Sequence, residues 1–414
     1  FEQAAPAERE ALEWFRQERG DPLETHARFE ALHAEQFSKG RWHWRDWPAE
    51  LRDPRSPAVS AFAARHAEEV AFHAYMQWRA DRSLEAAQRA TREAGMSIGL
   101  IADLAVGADS GGSHCWSRQD ETLIGLSIGA PPDLLSTKGQ KWGLAAFSPQ
   151  GLRRNGFGAF LEMLRAAMRH AGGVRIDHAL GLRRLWVVPE GAEAKDGAYL
   201  GFPQRDLLRL IALESRRHAA LVLGEDLGTI PEGFQDELAQ VGILGMRVLW
   251  FERDGERFTQ PRTWSRSAAA MTSTHDLPTL AGWWAGRDLE WRTKLDLAGG
   301  PERQAQEGNA RFRDRYLLWD AMRESGAAQG DPPPDDDGAT FADAATRHVA
   351  SAASDVAIIP IEDVLALEEQ PNLPGTMDAQ HPNWRRRLPE TAERLLEAPR
   401  VAARLAGIAK ARKG

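Results

Sequence analysis

Three short apolar runs in this chain each end in a carboxylate, and that repeat limits the fold more than any other feature. Gly173-Val174-Arg175-Ile176 leads into Asp177-His178. Ala220-Leu221-Val222-Leu223-Gly224 leads into Glu225-Asp226, and Ala269-Ala270-Met271-Thr272-Ser273-Thr274 leads into His275-Asp276. All three read as strands, and segments of helical character precede the first two, Phe157 to Ala171 and Leu207 to His218. Strands alternating with helices pair in parallel. Single acids just past several different strands point to an α/β fold of the (β/α)8 TIM barrel type, where strand C-termini line one cleft. A doubly wound sheet would carry a glycine-rich phosphate turn, and the sequence holds neither G-x-G-x-x-G nor a P-loop.

In a strand, residues two apart lie on one face. Arg175 and Asp177 are therefore expected to point the same way, with Ile176 turned into the packing layer behind them. An adjacent guanidinium favours the ionised carboxylate. Taken alone, this pair reads as a buried ion pair. With Glu225 and Asp276 at the ends of later strands, the set fits glycoside chemistry. One carboxylate attacks or stabilises the sugar cation, one donates and then removes a proton, and one binds hydroxyls. Carboxylate clusters also bind Mg²⁺ or Ca²⁺, and the residues alone leave both readings open.

Residues 1 to about 95 read as a helical region. Leu12, Trp14 and Phe15 lie in a charged stretch that Gly20-Asp21-Pro22 is expected to end. A long helix is expected from about Pro57 to Ala94, with Phe72, Tyr75, Met76 and Ala80 as its core stripe. From about residue 96 the texture is α/β, with further strands near residues 98, 246 and 357. Residues 107–150 read as a long glycine- and proline-rich loop, which at that length is expected to be functional. The organisation expected is a helical subdomain over 1–95 and a catalytic region over 96–414, with a helical insertion at about 286–345. The net charge of −8 argues against a general nucleic-acid binder. No apolar run reaches the length of a membrane span. The single cysteine, Cys115, rules out an internal disulfide and points to a reducing, cytoplasmic compartment. Tryptophan outnumbers tyrosine 15 to 3, and its flat faces suit either a core or a sugar ring.

Arg175-Ile176-Asp177-His178, Gly224-Glu225-Asp226-Leu227-Gly228 and Ser273-Thr274-His275-Asp276-Leu277-Pro278-Thr279 occur in the order of the fourth-, fifth- and seventh-strand motifs of the α-amylase clan, which they resemble. Asp103 falls where that clan has its third-strand aspartate. Five further stretches are similar to the clan's 4-α-glucanotransferases, the amylomaltases or disproportionating enzymes. These are residues 129–133, Gly139-Gln140-Lys141-Trp142-Gly143, Asp196-Gly197-Ala198-Tyr199, Gln370-Pro371-Asn372-Leu373-Pro374-Gly375-Thr376 and His381-Pro382-Asn383-Trp384-Arg385. The resemblance covers roughly residues 95–390.

That resemblance implies Asp177 as nucleophile, Glu225 as general acid/base and Asp276 as the residue gripping hydroxyls at the cleaved bond. It implies Arg175, His178 and His275 as supporting ligands, and Asp133, Gln140, Trp142 and Asn372 as lining of a glucan groove. The implied activity is transfer of α-1,4-glucan segments among maltooligosaccharides and starch- or glycogen-derived glucans, through a covalent glucosyl-enzyme, with no cofactor and no metal. The alternatives are hydrolysis of the same bond, or a non-catalytic glucan-binding remnant. Six strands are legible, near residues 98, 174, 221, 246, 271 and 357, and the resemblance makes them the third to eighth. The first two N-terminal strands are therefore expected to be missing from this chain and the barrel to be incomplete.

Overall fold

The apolar runs are strands, and they pair in parallel. A computed structural model describes residues 5–132, 138–297 and 299–413. The chain forms two units, Phe1–Ile243 and Leu244–Gly414.

In the first unit, β1 (Ile101–Leu104), β2 (Gly173–Ile176) and β3 (Leu221–Gly224) pair in that order. The register sets Asp103 opposite Arg175, and Arg175 opposite Leu223. Helices Gly158–Met168 and Gln204–His218 precede β2 and β3, as their periodicity predicts. The second buries Leu207, Leu208, Ile211 and Glu214, one face of a 3.6-residue repeat. It stops at Ala219, whose left-handed backbone turns the chain toward β3. Val174, Ile176 and Val222 pack with Phe160, Leu164, Met168 and Ile211 into one core. The glycine before β2 has a steric cause. A Cβ on Gly172 would lie 1.7 Å from the Ile98 carbonyl oxygen. Gly172→Ala is expected to cost about 2 kcal/mol or more, because backbone would have to move. An unshifted urea midpoint would contradict that.

The helical region departs from expectation in two places. Pro6–Ser38 does not end at Gly20-Asp21-Pro22 but kinks there, with Gly20 at φ +58° and ψ −141°. Pro22 falls in the first turn of the second segment, where its missing N–H costs nothing. The expected long helix is two, Pro57–Arg65 and Ala67–Glu93, broken at His66. The latter buries Val70, Ala74 and Trp78, whereas Phe72 and Met76 are 43% and 48% exposed. Two apolar stripes compete on this helix. Packing takes the one with Ala74, whose small side chain lets a neighbouring helix approach, and Ala27 and Ala31 are buried in the same cluster.

Residues 107–150 are not a bare loop. Gln140–Lys141 and Leu126–Ala130 join Arg184–Pro189 and Ala198–Gly201, in that order, in a four-stranded antiparallel sheet. The pairing of Leu126–Ala130 with Arg184–Pro189 joins segments more than 50 residues apart, which no local periodicity reveals.

In the second unit, apart from the first residue of β4, β4 (Ile243–Val248), β5 (Ala268–Met271) and β6 (Val356–Ile358) pair in parallel. β5 is buried along its whole length, as a central parallel strand requires. Trp283, Trp284, Trp319 and Phe341 fill the adjoining core, and Trp284 stacks on Phe341 with centroids 4.3 Å apart. Much of the tryptophan excess is therefore core, while Trp14, Trp42 and Trp384 are exposed. The architecture is mixed α/β with six parallel strands among the described residues. That is the number of strands legible in the sequence. No helix among the described residues is long and apolar enough to cross a membrane.

Candidate active site

The parallel ladder places the first two carboxylates. The Asp177 N–H donates to the Leu104 carbonyl at 2.9 Å, and the Glu225 N–H donates to the Ile176 carbonyl at 2.9 Å. Each acid thus occupies the first position beyond its strand, held by backbone bonds independent of its side chain. Arg175 and Asp177 point the same way, as the two-residue period requires, and the guanidinium reaches Asp177 Oδ1 at 3.1 Å. Arg175 also donates to Asp103 Oδ1 at 2.6 Å, so two acids on neighbouring strands share it. Burial would lower the Arg175 pKa. The hydrogen bond and charge of Asp103, with the charges of Asp177 and Glu225, outweigh burial and raise it.

Glu225 lies close behind. The His178 N–H donates to Glu225 Oε2 at 2.7 Å, and the Ala179 N–H donates to the Glu225 carbonyl at 2.8 Å. His178 makes the first bond from a left-handed conformation, φ +44°, a strain typical of functional turns. Burial, and then the charge of Asp177, push the Glu225 carboxyl above the usual range. The His178 N–H and Arg175 pull the other way. Burial lowers the His178 pKa against the pull of Asp177 and favours the neutral ring. The Trp142 and His178 rings meet at 5.4 Å in a T-shaped contact. The Trp142 indole N–H donates to Gln140 Oε1 at 3.0 Å. The structure therefore brings together Arg175, Asp177, His178, Glu225, Trp142 and Gln140. Asp133 lies outside the described residues.

The second unit builds a separate cluster past β5. The Asn372 side-chain amide donates to Asp276 Oδ1 at 2.6 Å, and His275 Nε2 lies 3.4 Å from Asp276 Oδ2. The His275 ring lies 5.3 Å from that of Trp384, which is 65% exposed and has a left-handed backbone. Asn372 is held by its own motif. The Gln370 amide donates to the Asn372 carbonyl at 2.5 Å, and the Leu373 N–H donates to Asn383 Oδ1 at 2.9 Å. Asn383 Nδ2 donates to the carbonyl and hydroxyl of Thr376 at 3.1 and 3.0 Å. The stretches around 370–376 and 381–385, which the sequence could flag only as motifs, are two sides of one clip. Sequence reasoning gave Asn383 and Trp384 no role of their own. The nearest signal was their shared His-Pro-Asn-Trp motif.

Comparison with known proteins follows the same residues. The model of the family described as 4-alpha-glucanotransferase matches residues 1–392. The chain belongs to the 4-alpha-glucanotransferase family. The match takes in the helical region before residue 95, beyond the span of the motifs. A 4-alpha-glucanotransferase of Mycobacterium bovis is 36% identical over 377 residues, 90% of this chain and 51% of that protein. The crystal structure of an amylomaltase from Corynebacterium glutamicum superposes with a TM-score of 0.85 at 29% identity, covering 99% of this chain and 57% of its own. An amylomaltase from Streptococcus agalactiae, solved in complex with acarbose, shares the fold with a TM-score of 0.77 at 18% identity, over 99% of this chain and 76% of its own. The chain thus spans about half the length of the first two.

Proposed function

We propose that this chain carries the catalytic apparatus of a 4-α-glucanotransferase that moves α-1,4-glucan segments between maltooligosaccharides by retaining double displacement. The observation that carries the reading is the pairing of two carboxyl groups in opposite settings. Asp177 is ion-paired to Arg175, and Glu225 is pushed toward its protonated form. Retaining glycosidases use two such groups about 5–5.5 Å apart.

In the first step the Glu225 proton passes to the glycosidic oxygen, the C1–O bond breaks, and Asp177 bonds to C1. The departing segment leaves with a free 4-hydroxyl. In the second step the 4-hydroxyl of another glucan attacks C1, its proton returns to Glu225, and Asp177 is released as carboxylate. One α-1,4 bond replaces another, so no external energy source is needed. The reading assigns Asp276, with Asn372 and His275 as its partners, the hydroxyls of the sugar at the cleaved bond. Trp142 and Gln140 would line the groove that favours a glucan acceptor over water. Donors derived from starch or glycogen suit the same groove, and the family's (β/α)8 barrel is the frame the reading requires.

Incubation with maltotriose tests it. Transfer yields glucose together with longer oligomers at constant total reducing ends. Reducing ends rising in step with maltotriose loss would mean hydrolysis, and binding without product would mean a glucan-binding remnant.

A further inference from the structure

One buried carboxylate holds both ends of the loop that carries His275 and Asp276. Thr272, directly after β5, donates its hydroxyl to Asp363 Oδ2 at 2.5 Å. At the other end, the N–H of Leu280, first residue of helix Leu280–Ala285, donates to Asp363 Oδ1 at 2.7 Å. Asp363 itself is 0% exposed, in the short helix Ile361–Leu365 that follows β6. Between the two anchors the loop closes on itself. The Ser273 hydroxyl donates to the Pro278 carbonyl at 2.7 Å, and Thr279 caps the helix through the Gly282 N–H.

Burial makes this carboxylate costly. Its pKa is pushed up to about 7 against the two loop donors. Among the described residues no cation bonds to it directly, and the charge of Arg404 favours its ionised form only from a distance. Arg404, 3% exposed on helix Pro399–Lys413, gives its guanidinium to the Val364 and Ala339 carbonyls and to Asp343. Glu362, adjacent in sequence, raises the Asp363 pKa further. A buried acid whose hydrogen bonds go to the two ends of one loop is costly as core packing. As a staple its placement is explained, because neither Thr272 nor Leu280 can shift without breaking a buried hydrogen bond to it.

We infer that Asp363 is a positioning residue, which fixes the Thr272–Leu280 loop so that His275 and Asp276 meet the sugar in one geometry. The inference rests on the proposed reaction and adds to it a residue that touches no substrate. Placement errors near 1 Å can cost about 100-fold in rate.

The test compares Asp363→Ala, Asp363→Asn and Thr272→Val by amide hydrogen exchange and by maltotriose kinetics. Asp363→Ala should speed exchange over residues 273–280 while helix Gly338–Ala350 stays protected. It should lower kcat about 10- to 100-fold and change KM less. Asp363→Asn can accept from Leu280 and donate to Thr272, and should restore both protection and most of kcat. Thr272→Val removes one hydroxyl at constant shape and should give an intermediate effect. It also carries the comparison if Asp363→Ala fails to fold. Wild-type exchange and kcat in Thr272→Val, or loss of protection throughout the second unit without rescue by Asn, would overturn the inference. If wild-type protein makes no product from maltotriose, the reaction proposal fails, and the exchange pattern still decides whether the staple exists.

Discussion

Asp177→Asn is expected to lower turnover by about four orders of magnitude or more while leaving the fold in place. In the proposed double displacement the amide cannot bond covalently to C1, so the step that would split one difficult displacement into two is lost. Little structure depends on the side chain. The Asp177 N–H still donates to Leu104, and Arg175 keeps Asp103 at 2.6 Å. The lost ion pair is partly solvated, with the Asp177 side chain 36% exposed, so its share of stability is small. Initial rates of glucose release from maltotriose, with a urea titration of the same preparation, check both halves. Full activity in the folded variant would remove Asp177 from the nucleophile role.

Glu225→Gln should cost about 10²- to 10⁴-fold in rate, the range for losing a positioned acid and base. It should also change the pH dependence of stability in one direction. The folded protein holds the Glu225 carboxyl above its unfolded value, first through burial and then through the charge of Asp177. Between the unfolded pKa, about 4.3, and the higher folded one, the native state binds more protons than the unfolded chain. Wild-type stability therefore falls as pH rises through that window. Glutamine has no proton to lose and still accepts from the His178 N–H, so the variant should gain on wild type from about pH 4 upward and level off above the folded pKa. Urea midpoints across that range measure the difference. A variant that loses ground with rising pH would show that the Glu225 pKa is not raised. In wild type the alkaline limb of kcat/KM should lie above the usual glutamate range, since that limb follows loss of the acid.

The strand-end acids were legible because two features of the chain are local. The two-residue period puts Arg175 and Asp177 on one side, and an apolar run long enough for one strand says where the strand stops. The rest depended on partners distant in sequence. The stripe with Phe72 and Met76 is as apolar as the one that packs, and the choice between them belongs to the helix that Ala74 meets. The antiparallel sheet around Leu126–Ala130 forms because Arg184–Pro189 returns beside it. Asn383, read as part of a motif, has its amide in a clip with Leu373 and Thr376. Asp363, a few residues past the last strand, takes hydrogen bonds from both ends of a loop more than 80 residues earlier in the chain.

The sequence by itself determined which residues could do chemistry, the order in which parallel strands present them, and the family whose motifs they match. Tertiary structure alone decided which groups tune them. Arg175 is divided between Asp103 and Asp177, the His178 N–H faces Glu225, and Asp363 spans the loop of Asp276. The physical reason is that a side chain's charge state and direction depend on desolvation and on hydrogen-bond donors from other strands. Those groups become neighbours only when the chain is packed.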